Sequence, residues 1–250
     1  MHQAHAFPVV LQAAVAALTA LSALGAHAAL QGRNVDGNIA NGYEAFYDTT
    51  LDITWLADPN FGETSNALPA TGSWWSWSKN WAESLNYFGA TEWRLPRVQS
   101  KISTGTPADF QVGFGAGVSK SELGHMFYVN LQLPPGGSTV PDIVAIPGLP
   151  GESIKNFRAQ LYWTEDVYAP NPALAWALWT SSPFVGSQAF LGKVFPGGAW
   201  AVHDGDVFAR PAIPAVPEPS AIWMMFAGVG IAAYAWRRQQ KGLATQRCVA

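Results

Sequence analysis

Tyr43-Glu44-Ala45-Phe46-Tyr47-Asp48-Thr49-Thr50-Leu51-Asp52-Ile53-Thr54-Trp55-Leu56 alternates in character on either side of a polar break. Side chains two apart in an extended chain share a face, so Tyr43, Ala45 and Tyr47 oppose Glu44 and Phe46. Asp48 to Asp52 offers a turn, and Ile53 to Leu56 resumes a strand, which together predict a β-hairpin.

Working outward, Ser76 is placed to cap a helix whose Trp77, Trp81 and Leu85 recur at i, i+4 and i+8 on one face, with Phe88 close by and an end near Gly89. Ser119-x-x-Glu122 has the form of a capping box for a second short helix bearing Leu123, Met126 and Phe127, with Gly124 in its interior. Leu133 to Gly151 carries Pro134, Pro135, Pro141, Pro147 and Pro150, which bars regular structure of any length and predicts a Pro/Gly-rich surface loop over about 134–153. Beyond it, Leu161 to Thr164, Ala173 to Trp179, Gln188 to Leu191 and Trp200 to Val207 read as short strands. Two early helices and several late strands predict an α+β fold.

Aromatic residues make up 13% of the 250, including 12 Trp, while charged residues make up only 12%, a profile of a loop-rich, strand-containing domain. All 17 acidic residues precede the last apolar run, and Arg237, Arg238, Lys241 and Arg247 follow it. The part before that run is therefore acidic, which excludes nucleic acid as a partner class. Cys248 is the single cysteine, so an intramolecular disulfide, a thiol nucleophile and a cysteine zinc site are all excluded from the domain.

Both ends read as addresses. Phe7 to Gly25 is an uncharged apolar run followed by Ala26-His27-Ala28, the small-x-small pattern of signal peptidase, which predicts a signal peptide over 1–28 and cleavage before Ala29. Ser220 to Trp236 is a charge-free run of 17 residues, the short limit for a transmembrane helix, with Arg237-Arg238 behind it to hold the C-terminal side in the cytoplasm. Residues 209–215 form a Pro-rich stalk before it, expected to be extended and accessible, and 241–250 a cytoplasmic tail. Val216-Pro217-Glu218-Pro219, the apolar run and Arg237-Arg238, together spanning 216–240, resemble the PEP-CTERM sorting signal. That resemblance implies processing by exosortase and a membrane-anchored precursor whose product goes to the cell surface or extracellular matrix, passing the inner membrane transiently. The segment also goes by an ice-binding protein C-terminal label, which names the anchor and implies no ice binding.

Between the addresses, Gly32 to Gly37, Tyr47-Asp48 to Asp58-Pro59-Asn60, Ser76-Trp77 to Leu85, Trp93-Arg94-Leu95-Pro96, Ser121 to His125 and Tyr162-Trp163-Thr164 resemble the DUF1566 (Lcl C-terminal-like) domains. These are similar to the C-type-lectin and formylglycine-generating-enzyme superfold. The resemblance implies a domain over 29–208 in which the first and last strands pair and two short helices pack on a small twisted sheet. It implies no formylglycine chemistry, because that branch works through cysteines.

Candidate chemistry is sparse. Asp58-Pro59-Asn60 has the look of a lectin calcium loop, but it follows the first hairpin and reads as a turn with Pro at i+1. His203-Asp204-Gly205-Asp206 and Glu165-Asp166 bunch carboxylates and read first as turns and solvated surface. His125 reads as a core or partly exposed histidine. Trp55, Trp77, Trp81, Trp93 and Trp163 fall on faces expected to turn inward. Trp74 and Trp75 face opposite ways in extended chain, and Trp179 is out of phase with Trp176, so Trp74, Trp75 and Trp179 are the candidate glycan contacts. The expectation is an exported, non-enzymatic surface or exopolysaccharide-matrix protein with no metal and no cofactor, binding glycan and met by signal peptidase and exosortase. The alternatives are a polysaccharide-active enzyme using Glu165, Asp166, Asp204 and Asp206, and a purely structural matrix protein.

Overall fold

The computed structural model describes residues 30–103, 111–138 and 140–209. The signal peptide, the stalk beyond Ala209, the sorting signal with its apolar run, and the tail lie outside the described residues.

The hairpin forms where the alternation predicts it. β1 (Leu30–Arg33), β2 (Ala45–Asp48) and β3 (Ile53–Leu56) make an antiparallel meander with Asp48 opposite Ile53. Asp48 sets the turn, its carboxylate accepting from the Thr50 and Leu51 amides at 2.9 and 3.0 Å. β9 (Val202–Asp204) pairs with the free edge of β3, so the sheet runs β1-β2-β3-β9 and every β3 side chain is buried. The expected pairing of first and last strands is thus replaced: β1 and β9 occupy opposite edges. After β9 the Gly205-Asp206 turn folds back over the sheet, with the Gly205 carbonyl on Thr54 Oγ1. What reaches β1 is the Asp206 carboxylate, bound by Arg33 Nε at 2.8 Å.

The late strands build a second antiparallel sheet from β6 (Leu161–Val167), β7 (Leu174–Trp179) and β8 (Gln188–Gly192). The described part is accordingly a mixed α/β fold of mostly antiparallel sheets with a few short helices, more than the one small sheet expected. The Pro/Gly-rich segment is also more than a surface loop. Within it β4 (Val144–Ala145) pairs with β5 (Ser153–Ile154) at its far end, and Val140, Val144 and Ile146 are buried in the core. Its prolines limit the length of the ladder, while its apolar positions supply burial.

The helices are α1 (Phe61–Thr64), α2 (Trp75–Ser84) and α3 (Glu122–His125), the last continuing as a π-helical turn over Met126–Asn130. Both predicted caps move. Ser76 lies inside α2, whose buried positions are Ser78, Trp81 and Ala82 and whose Trp77 is exposed, contrary to the expected Trp77-Trp81-Leu85 face. α3 is capped by Ser121, accepting from the Gly124 amide at 3.0 Å, not by Ser119. Gly124 is required there, because a Cβ would stand 1.9 Å from the Val118 carbonyl oxygen.

Between the sheets the core is aromatic. Trp200 lies 4.8 Å from Trp55, 5.6 Å from Phe157 and 6.1 Å from Tyr162, ring to ring, and donates Nε1–H to the Leu56 carbonyl at 2.8 Å. Offset and edge-on arrangements of this kind add to the burial of each ring.

Arg94, 7% exposed, ties the elements together. Its Nη1 and Nη2 grip Glu122 at the start of α3 at 2.7 and 2.9 Å, and it also holds Asp204 at the end of β9. Its amide pairs with the Val202 carbonyl at 2.9 Å. Burial works against the guanidinium's charge, but the hydrogen bonds and charges of Glu122 and Asp204 more than offset it and hold the Arg94 pKa above its usual value. Arg94→Ala leaves Glu122 buried without its cation and is expected to cost about 3–5 kcal/mol in urea unfolding, while the double replacement Arg94→Leu with Glu122→Leu recovers much of that loss. A single-variant loss below about 1 kcal/mol, the value of an exposed pair, would show that Arg94 is no pin.

His125 is 3% exposed, neither ring nitrogen makes a hydrogen bond of good geometry, and Nε2 lies 3.7 Å from Asp48 Oδ2. Burial depresses its pKa, and Asp48 and the Ser119 backbone, which favour the charged ring, offset this only in part. The folded state therefore binds the proton less readily than the unfolded chain. The stability this represents is complete above the unfolded value near 6.5 and is lost as pH falls below it toward the folded value. Urea unfolding from pH 7.5 down to 5.5 is expected to show a falling stability with a slope of at most about 1.4 kcal/mol per pH unit. The slope should flatten in His125→Gln; an equal slope in both proteins would assign the dependence elsewhere.

Candidate functional site

α2 begins abruptly. Trp74 is extended at φ −65° and ψ 154°, its carbonyl accepts from the Trp77 and Ser78 amides at 3.0 Å, and the Trp75 amide bonds to the Lys193 carbonyl at 3.0 Å. This start fixes the fate of three tryptophans. Trp75 turns inward and is half-buried, donating Nε1–H to the Thr164 carbonyl at 2.8 Å, with the Lys193 ammonium 4.1 Å from its ring centre. Trp74 and Trp77 turn outward, 49% and 52% exposed, with ring centres 5.4 Å apart and planes tilted by 33°.

Of the expected contacts, then, Trp74 is presented to solvent and Trp75 lies beside it but is largely committed to packing. Trp179 is half-buried in a different aromatic group, 6.0 Å from Phe184. Trp77, assigned to the core by helical spacing, is the residue that sequence reasoning missed. The missing signal was the start of the helix. From Trp75 onward the buried arc is set by Ser78, Trp81 and Ala82, and Trp77 falls at its margin beside Trp74.

Next to Trp77 runs an open groove of about 690 Å³ between α2 and the connector that follows α1. Leu68 and Trp81, each 9% exposed, are its most buried members, and Asn66, Pro69, Asn80 and Ser84 also line it. Gly62 of α1 packs beneath, where a Cβ would meet Leu68 at 2.7 Å and Trp81 at 3.0 Å. Asn66 holds a left-handed φ of 62°, a conformation that asparagine tolerates in turns. Lys79 and Glu83, one turn apart on α2, pair with each other.

The clustered carboxylates are not free surface. Glu165 accepts from Arg97 Nε at 3.1 Å, Asp166 from the Val98 amide at 2.6 Å, Asp204 from Arg94, and Asp206 from Arg33. Burial raises the Asp166 pKa, only partly opposed by the Val98 amide. Burial also works to raise that of Asp204, but Arg94 and Arg97 outweigh it and hold the pKa below its usual value. These groups join segments distant in sequence, while the Asp204 side chain remains 62% exposed at the surface, as the turn reading expects. Asp58-Pro59-Asn60 is the turn expected, with the Asp58 carbonyl accepting from the Phe61 amide at 3.2 Å and the Asn60 side chain donating to the Tyr162 hydroxyl at 2.9 Å.

A smaller cleft of about 250 Å³ lies among Tyr43, Glu44, Asp58, Tyr87 and Lys155. Burial, then the charges of Glu44, Asp58 and Asp36, push the Tyr87 hydroxyl up to about 12. Glu44 and Asp58 are already engaged by backbone amides, of Val35 at 2.7 Å and Asn60 at 2.8 Å. Among the described residues no group of three or more His, Cys, Asp or Glu is arranged to hold a metal ion, and no helix is long and apolar enough to cross a membrane.

Compared with known proteins, no curated protein and no solved structure matches the chain. Residues 215–239 match the family model of the PEP-CTERM protein-sorting motif, and Val216 to Pro219, Arg237 and Arg238 all fall within the match. The chain thus carries a sorting motif that implies an exported protein, made as a membrane-anchored precursor and processed by exosortase.

Proposed function

We propose that residues 29–208 form a carbohydrate-binding domain without catalytic activity, placed at the cell surface or in an exopolysaccharide layer once the sorting signal has been processed. The observation that carries this reading is the outward pair of Trp74 and Trp77, with Trp77 lining an open groove in which Asn66, Asn80 and Ser84 stand among apolar Leu68, Pro69 and Trp81. Sugars stack their apolar faces on aromatic rings and satisfy their hydroxyls with nearby polar groups, and two solvent-facing tryptophans have no role in holding a core. Binding without turnover fits the carboxylates. Glu165, Asp166, Asp204 and Asp206 are each held by an arginine or a backbone amide, which gives them a role in the fold.

The DUF1566 and C-type-lectin resemblance carries no part of this reading, since no solved structure matches the chain and, among the described residues, the first and last strands do not pair. A fold alone assigns no ligand. The address and the binding face are separate claims and are tested separately.

Intact mass and terminal peptide mapping of protein recovered from the extracellular matrix should find Ala29 at the N-terminus and an end near Pro217-Glu218-Pro219. Retention of Ser220 to Ala250 would make the product a stably anchored membrane protein. For the binding face, Trp74→Ala and Trp77→Ala are each expected to weaken binding to exopolysaccharide from the producing cells by roughly 2- to 12-fold, about 0.5–1.5 kcal/mol per ring, with thermal stability unchanged. Wild-type affinity in the double variant, or release of new reducing ends from the polymer, would overturn the reading.

A further inference from the structure

Resting on that reading, we infer that the Trp77 groove is built for a polysaccharide of uncharged sugars, with Asn66 and Asn80 as its hydrogen-bonding contacts. Asn66, Leu68, Pro69, Asn80, Trp81 and Ser84 line it beside Trp77, and no lining side chain is ionisable. The charges nearest in sequence are already closed on themselves: Lys79 with Glu83 on α2, and Glu63 of α1 with Arg158, which also donates to the Ala70 carbonyl.

A polyanion meets two obstacles here. The groove offers no Lys or Arg to bind a carboxylate or sulfate, and residues 30–209 hold sixteen Asp and Glu against nine Lys and Arg, so the domain as a whole repels negative charge. A polycation such as an unacetylated amino-sugar chain gains from that long-range field but finds no carboxylate in the groove to pair with its ammonium groups. Desolvating the ammonium against Leu68 and Trp81 without a counter-charge is unfavourable.

Neutral hydroxyls fit. Each is both donor and acceptor, and the carboxamides of Asn66 and Asn80 offer both functions, as does a hydroxyl. Ser84 Oγ donates to the Trp81 carbonyl at 2.9 Å and so retains its acceptor capacity toward the groove. Asn66 and Asn80 are exposed, so a sugar replaces water at these amides and no internal bond is broken.

The test measures binding of the mature protein to a panel of neutral glucans, mannans and galactans, to a polyuronate and to an unacetylated polyglucosamine of matched length, at low and high salt. At least one neutral polymer should bind with an affinity independent of salt, and the two charged polymers at least ten-fold more weakly. Asn80→Lys should reduce binding of the neutral polymer and create salt-sensitive binding of the polyuronate. If a charged polymer binds tightest and Trp74→Ala with Trp77→Ala abolishes it, the glycan reading stands and the inference of a neutral ligand falls. If no polymer binds, or the double tryptophan variant binds as wild type does, the glycan reading falls and this inference with it.

Discussion

A buried guanidinium is tolerated only when its donors are matched by acceptors in a fixed geometry, and Arg94 meets that condition with two carboxylates from separate elements of the domain. Glu122 begins α3 and Asp204 ends β9, while the Arg94 backbone pairs with Val202. The same Glu122 carboxylate also accepts from the Arg97 amide at 2.7 Å, so the chain following Trp93-Arg94-Leu95-Pro96 is held against the helix as well. Losing the Arg94 side chain would release Glu122 and Asp204 from each other at once. In a chain with no disulfide available to the domain, one polar node of this kind supplies the specific closure that a cross-link supplies elsewhere.

Arg94, Arg97 and Arg33, with the Val98 amide, hold the acidic residues that cluster in sequence at 165–166 and 204–206. The tryptophans divide between core and surface. The core takes Trp55, Trp93, Trp163 and Trp200, each no more than 1% exposed, and what remains outside at the head of α2 is Trp74 and Trp77.

The hairpin was legible because its period is two and its turn is set locally by Asp48. The late strands were legible for the same reason. Helix positions were not, because their boundaries depend on distant partners: α2 begins where Trp75 meets the Lys193 carbonyl, and α3 begins where Glu122 meets Arg94, neither of which is a local event. Successive residues of a helix point about 100° apart, so with the buried arc centred on Ser78, Trp81 and Ala82, Trp77 stands at its margin. Its side-chain type argued for the core, and only the start of α2 reveals that it stands beside Trp74. The Pro/Gly-rich segment fails for a different reason: proline predicts the absence of long ladders, and says nothing against burial of the apolar residues between them.

The sorting motif and the aromatic face answer different physical needs. Once processing removes the apolar run of the sorting motif, a product that remains outside the cell is held by whatever its surface binds. On the proposed reading, the open groove lined by Trp77, with Trp74 beside it, would bind weakly per site, since each ring contributes on the order of 1 kcal/mol. A polymer compensates by repetition. Every repeat along a long neutral chain offers the same contact, and a protein that dissociates from one unit finds the next at high local concentration. On the proposed reading, retention in a layer of such polymer needs no deep pocket, and the Trp74-Trp77 face at the head of α2 would suffice for it.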